Sequence, residues 1–148
     1  MKTKQLPIGF SLVDIKIQQF ALFPEHFKPK KDIQLNTDLQ LLLHKEEYAV
    51  RVILGFTYEQ QKKSFMKIEV SCIFNIKKED FVNLKKEESK EIVFPKEFIG
   101  HLTMLSIGTI RGILFAKTEG SEFSKYILPT INVTQMIKND VVFEMKEE

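Results

Sequence analysis

The chain has 148 residues, enough for one domain whose core buries roughly 70% of the unfolded surface, and its 43% hydrophobic and 28% charged content excludes wholesale disorder. A net charge of +2 gives no concentrated basic surface of the kind that sequence-independent nucleic-acid binding needs. The single Cys72 cannot form an internal disulfide, and the basic first seven residues lead into no apolar signal-peptide run, so a soluble protein in a reducing, cytoplasmic compartment is expected.

In chain order, residues 1–9 read as a flexible N-terminus. Phe10 to Phe23 then reads as a strand. Simple alternation puts Val13, Ile15 and Ile17 on one face with Ala21 and Phe23, and Phe20 and Leu22 on the other. Pro24 and Pro29 mark a loop. In the second strand Ile33, Leu35, Leu39, Leu41 and Leu43 alternate with Gln34, Asn36, Asp38, Gln40 and His44, leaving one wet face. The third strand runs from about Tyr48 to Tyr58 and the fourth from about Met66 to Ile76, where Cys72 reads as a small buried hydrophobe. Short polar turns at 44–47 and 59–63 require antiparallel neighbours, so the expectation is a four-stranded antiparallel meander.

The charged stretch from Lys77 to Lys90 reads as a loop or a short surface helix. A long helix follows from Pro95 to about Thr118, with Pro at its start, Gly120 as its stop, and apolar residues recurring at three and four. His101 and Arg111 argue against a membrane span, since an ionised Arg near the middle costs about 2.5–3.5 kcal/mol. A short helix near Val133 to Lys138, capped by Asn132 or Thr130, and a tail over 139–148 complete a single α+β domain spanning 1–148.

Thirteen Phe and three Tyr exceed what a core of this size needs, so the surplus is a candidate lining for an apolar groove. Catalytic chemistry has no such support. His26, His44 and His101 lack metal-ligand spacing, no Gly-x-Ser-x-Gly elbow occurs, and Gly108-Thr109-Ile110-Arg111-Gly112 lacks a phosphate-loop ending. The reading is therefore a non-enzyme without cofactor or metal. Gly108, Gly112 and Ala116 form a stripe of small residues spaced by four. Two mid-helix glycines cost about 1 kcal/mol each, which close packing on the chain's own sheet or a helix contact between subunits would offset. Arg111, inside the stripe, either pairs across such a contact or bonds to loop carbonyls.

The order of elements resembles the SecB protein-export chaperone family. Phe10-Ser11-Leu12-Val13-Asp14-Ile15 is similar to that family's opening strand, and Tyr48-Ala49-Val50-Arg51-Val52 to the start of its third. Glu69-Val70 with Ile73-Phe74-Asn75-Ile76 resembles the fourth strand. Phe94-Pro95 stands at the helix entry, Arg111-Gly112 at the family's Arg-Gly pair, and Leu128-Pro129-Thr130-Ile131-Asn132-Val133 before the last helix. The resemblance covers about residues 10–138 and marks a divergent member. The family's acidic docking site for the SecA motor is not carried over, because Gln18, Gln19 and Phe23 stand near the end of the first strand.

What the resemblance implies is a nucleotide-independent holdase for unfolded or apolar polypeptides, assembled as a homo-oligomer, with a tetramer as the family's state. Phe23, Phe27, Phe81, Leu84, Ile127 and Leu128 are the expected polypeptide-binding residues, and Gly108, Arg111, Gly112 and Ala116 the expected oligomer interface. The alternative on the same fold is a regulatory interaction module, such as a chaperone accompanying a toxin–antitoxin pair, without general holdase activity.

Overall fold

The computed structural model describes residues 7–86, 88 and 90–144. Four long strands, β1 (Phe10–Leu22), β2 (Gln34–His44), β3 (Ala49–Gln60) and β4 (Lys63–Ile76), form one antiparallel sheet in the order β1-β4-β3-β2. A short helix α1 (Lys78–Asn83) leads to β5 (Lys85–Lys86) and β6 (Glu91–Phe94). The long helix α2 (Lys96–Thr118), a short helix α3 (Val133–Met136) and a final strand β7 (Val141–Glu144) complete the chain. The α+β class and the order of the four strands, long helix and short helix are as expected from the sequence.

Consecutive pairing holds for β2, β3 and β4, while β1 lies beside β4 and reaches β2 by a crossover. The tip of the β3–β4 hairpin determines that route. Phe23 N–H donates to the Phe65 carbonyl at 2.8 Å, and His26 Nδ1 lies 2.9 Å from the Ser64 carbonyl. Gln60, nearly inaccessible, accepts from Lys28 N–H at 2.9 Å and donates to the carbonyls of Lys28 and Lys31. A buried amide with its partners supplied holds the loop where an unpaired one would cost about 1–3 kcal/mol.

The faces of β1 depart from simple alternation. Its pairing with β4 shifts register between Leu12 and Asp14 and again between Ile17 and Gln19. Val13 and Gln18 are thus extra residues, and each one reverses the two-residue period. Phe10, Leu12, Ile15, Ile17, Phe20 and Leu22 consequently oppose Ile76, Phe74, Cys72, Val70, Ile68 and Met66, all on the core side. Ser11, Asp14, Lys16, Gln19 and Ala21 take the other face. Placing Phe20 and Leu22 opposite Ile15 and Ile17 was the error of reading the strand without bulges.

α2 packs across β3 and β4, burying Ile99, Leu102, Ile107, Ile110 and Leu114. By length and composition this helix could cross a membrane, but its inner face supplies the core of the domain. Thr103, Ser106 and Thr118 are also buried because each hydroxyl donates to the carbonyl four residues earlier, at 2.8–2.9 Å.

The charged stretch and the tail form structure that the sequence left open. α1 buries Phe81, and a small sheet joins β5, β6 and β7 in that order. At the N-terminal end Gly9 is held by its N–H on Asp80 Oδ2 at 2.9 Å and its carbonyl on Lys77 N–H at 2.8 Å. Residues 1–6 and 145–148, at the ends of the expected N-terminus and tail, lie outside the described residues.

The bulges make a direct prediction. Deleting Gln18 closes the second bulge and leaves every other residue on its face, whereas deleting Lys16 puts Ile17 on the wet face and Gln18 opposite Val70. Urea unfolding is expected to show the Lys16 deletion less stable than the Gln18 deletion by about 1–2 kcal/mol.

Candidate interaction surfaces

Two aromatic clusters set the geometry at opposite ends of the sheet. At the hairpin end, Phe27 meets Phe65, Phe123 and Tyr126 with ring centroids 5.0–5.6 Å apart. At the other end, Phe81 meets Tyr48 and Phe94, and Phe94 stacks on Phe98 at 5.9 Å. The expected polypeptide-binding residues divide between these ends. Phe27, Ile127 and Leu128 belong with the first and Phe81 and Leu84 with the second, so they form no continuous lining. Phe23 stacks on His26 at 5.6 Å on the crossover loop.

Their burial differs as well. Phe81 and Leu128 are at most 1% exposed and act as core residues, which removes them from any open groove. Phe81 is buried because α1 turns it inward against β6 and the Tyr48 ring, a helix face the charged sequence around it did not reveal. Phe23, Phe27 and Leu84 are half-buried, and only Ile127, 56% exposed, stands in solvent.

Arg111 also has a definite role. Its Nε donates to the Leu128 carbonyl at 2.7 Å and its Nη2 to the Pro129 carbonyl at 2.8 Å. It is a clamp inside the protomer, the second of the two roles its place in the stripe suggested. The guanidinium fork suits two successive carbonyls in a way an ammonium does not. Tyr58 Oη adds a third tie to this loop, donating to the Tyr126 carbonyl at 3.2 Å.

The small-residue stripe points outward. A Cβ added at Gly108 or Gly112 would meet no atom within 4 Å, and Ala116 is exposed, so close approach to the chain's own sheet is not what the glycines serve. Met104, 58% exposed, and Leu105 and Phe115 share this outer face. Leu12, Ile15 and Ile17 of β1 remain exposed on the same side of the sheet, because α2 covers β3 and β4.

A cleft of about 510 Å³ lies between α2 and α3, lined by Gly100, His101, Met104, Val133 and Ile137, with Lys96, Glu97 and Lys138 at its rim. The crossing does not require glycine at Gly100, since a Cβ there would stand 3.5 Å from a Val133 methyl carbon, an ordinary van der Waals contact. None of these residues was among the binding residues expected from the sequence. The one available signal was a third glycine in the helix, eight residues before Gly108.

Among the described residues no three His, Cys, Asp or Glu side chains gather to hold a metal ion. Burial pushes the Cys72 thiol up from its ordinary value, only partly offset by a hydrogen bond with Ser106, so it is a poor nucleophile. No family model matches the chain, and neither a curated protein nor a solved structure matches it.

The loop clamp is testable in two ways. Arg111→Ala is expected to lower stability by about 1–3 kcal/mol and to speed amide exchange around residues 126–131. Burial pushes the Tyr58 hydroxyl up to about 12, with the Arg111 charge opposing. Between the ordinary value of 10.0 and about 12, the unfolded chain gives up this proton while the folded chain keeps it. Stability therefore falls as pH rises through that window, and Tyr58→Phe is expected to flatten the fall when unfolding is followed from pH 9 upward.

Proposed function

We propose that the protein is a cytoplasmic, SecB-like holdase that keeps unfolded or apolar polypeptide segments from aggregating, without nucleotide, and that it works as a homo-oligomer. The observation that carries this reading is apolar surface that the described residues leave uncovered. It comprises Met104, Leu105 and Phe115 on α2, interleaved with Gly108, Gly112 and Ala116, and Leu12, Ile15 and Ile17 on β1. Apolar surface gathered in this way marks an interaction site more often than an idle face.

The glycines support self-association in particular. Each costs the helix about 1 kcal/mol relative to Ala, and no contact among the described residues offsets that cost at Gly108 or Gly112. A second helix approaching closely would do so. The tetramer comes from the SecB resemblance and is proposed on that ground. Client segments would use the apolar cleft between α2 and α3 and the exposed Ile127, where several weak contacts suffice without a unique register. Coupling to SecA is not part of the proposal.

The second reading, a regulatory module with one folded partner, is favoured by the burial of Phe81 and Leu128. Their positions leave less open groove than a general holdase would use.

Light scattering is expected to give a mass above the 17.3 kDa protomer, falling towards it in Gly112→Leu. A protomer mass in both would end the self-association reading. Dilution of several chemically unfolded proteins into the protein, with and without ATP, is expected to give less aggregate in both conditions. Undiminished aggregation of all of them would overturn the holdase and leave the single-partner module.

A further inference from the structure

The C-terminal strand β7 is seated on the edge of β6 in the manner of an added peptide. The register pairs Phe94 with Val141, Val93 with Val142, Ile92 with Phe143 and Glu91 with Glu144. Ile92 and Phe94 are fully buried, so Val141 and Phe143, which oppose them, also face inward. The Phe143 ring meets Phe94 edge-on at 5.7 Å. Val142, 51% exposed, points to solvent. The edge of β6 therefore accepts an extended segment with apolar side chains at alternate positions, here an aliphatic residue followed by an aromatic one.

The attachment is slight. β7 has four residues, and both of its inward side chains remain only half-buried. Just before the strand, Asp140 Oδ1 accepts from Lys96 N–H at 2.9 Å at the exposed start of α2. Few buried contacts and an exposed anchor place such a segment among those that open locally. Beyond Phe143 a groove of about 350 Å³ continues between β7 and the edge strand β2, lined by Leu41, Leu42 and Leu43. The strand thus occupies one end of a longer groove, apolar along Leu41 to Leu43 and flanked by Lys45 and Glu144.

We propose that β7 is a displaceable strap, and that the edge of β6 it covers is a strand-acceptor site for an extended segment of another polypeptide carrying alternating apolar residues. The incoming segment pairs antiparallel with β6, places its apolar side chains where Val141 and Phe143 now sit, and continues along Leu41–Leu43. This rests on the holdase reading for the kind of ligand, and it adds what that reading lacks: a recognised pattern and a built-in competitor. While the strap is closed, apparent affinity is reduced by the fraction of molecules in which it is open.

The backbone provides a reversible test. Val93 N–H points to β5, where it donates to the Leu84 carbonyl at 3.3 Å. Towards β7, Val93 and Val142 therefore form a non-hydrogen-bonded pair, the kind whose side chains lie closest. Both face away from the core, so Val93→Cys/Val142→Cys places a disulfide across the strap at a suitable separation. The probe is a fluorescent peptide copying residues 138–144, with a control in which Asp replaces its two inward apolar residues.

Anisotropy is expected to show weak binding to the full-length protein and about tenfold tighter binding to Phe143→Asp, which loosens the strap. Binding should vanish in the oxidised double-cysteine protein, return with reductant, and be absent for the control peptide. Equal binding to the oxidised and reduced forms would overturn the strap, as would a Phe143→Asp protein that folds by circular dichroism yet binds no more tightly. Aggregation assays on the same proteins separate the two proposals. Suppression that ignores the lock sinks the strap and spares the holdase, whereas gated peptide binding without suppression sinks the holdase and spares the strap.

Discussion

One helix cannot cover four strands. An α-helix with its side chains is about 10–12 Å across, while four strands at about 4.8 Å spacing present a wider surface. α2 lies over β3 and β4, the two central strands, and their inward residues are buried along the whole length of both strands. The rest of the sheet's apolar face has to find cover elsewhere or remain open. The chain solves this differently on its two sides.

On the β2 side the cover comes from small pieces. Leu39, Leu41 and Leu43 pack on the core in a region completed by the small sheet, with Phe143 reaching the groove beside β2. At the hairpin end the loop after α2 brings Phe123 and Tyr126 onto Phe27 and Phe65. Such loops carry backbone groups that need partners, and Arg111, Tyr58 and Gln60 supply them at fixed points. These polar side chains keep the irregular cover seated on an apolar layer that, by itself, specifies no loop path.

On the β1 side the described residues supply no such cover. Leu12, Ile15 and Ile17 stand beside the outer face of α2, and the glycines make that face flat. A second copy of the chain is the proposed cover. The same shortage of layers connects to the strap, since β7 is a four-residue strand serving as the edge of a three-stranded sheet. The proposed self-association and the proposed strand displacement would be two answers to one deficit, placed on opposite sides of the molecule.

The sequence by itself determined the elements whose patterns are local and repeated. Period-two alternation gave β2, β3 and β4, and three-and-four spacing with Pro95 and Gly120 gave α2. Asn132 and Thr130 were the two candidate caps, and it is Asn132 whose Oδ1 accepts from Thr134 N–H at 3.1 Å. Only the tertiary structure decided the rest, because it depends on contacts between distant residues. The bulges at Val13 and Gln18 follow from matching β1 to β4, a pairing accompanied by a crossover loop that Gln60 holds. Phe81 and Leu128 read as groove residues because burial is not legible from residue type in a charged or irregular stretch. The glycine stripe could be found from spacing, but which way it faced could not. That depended on where the sheet lay, and the sheet lay on the other side.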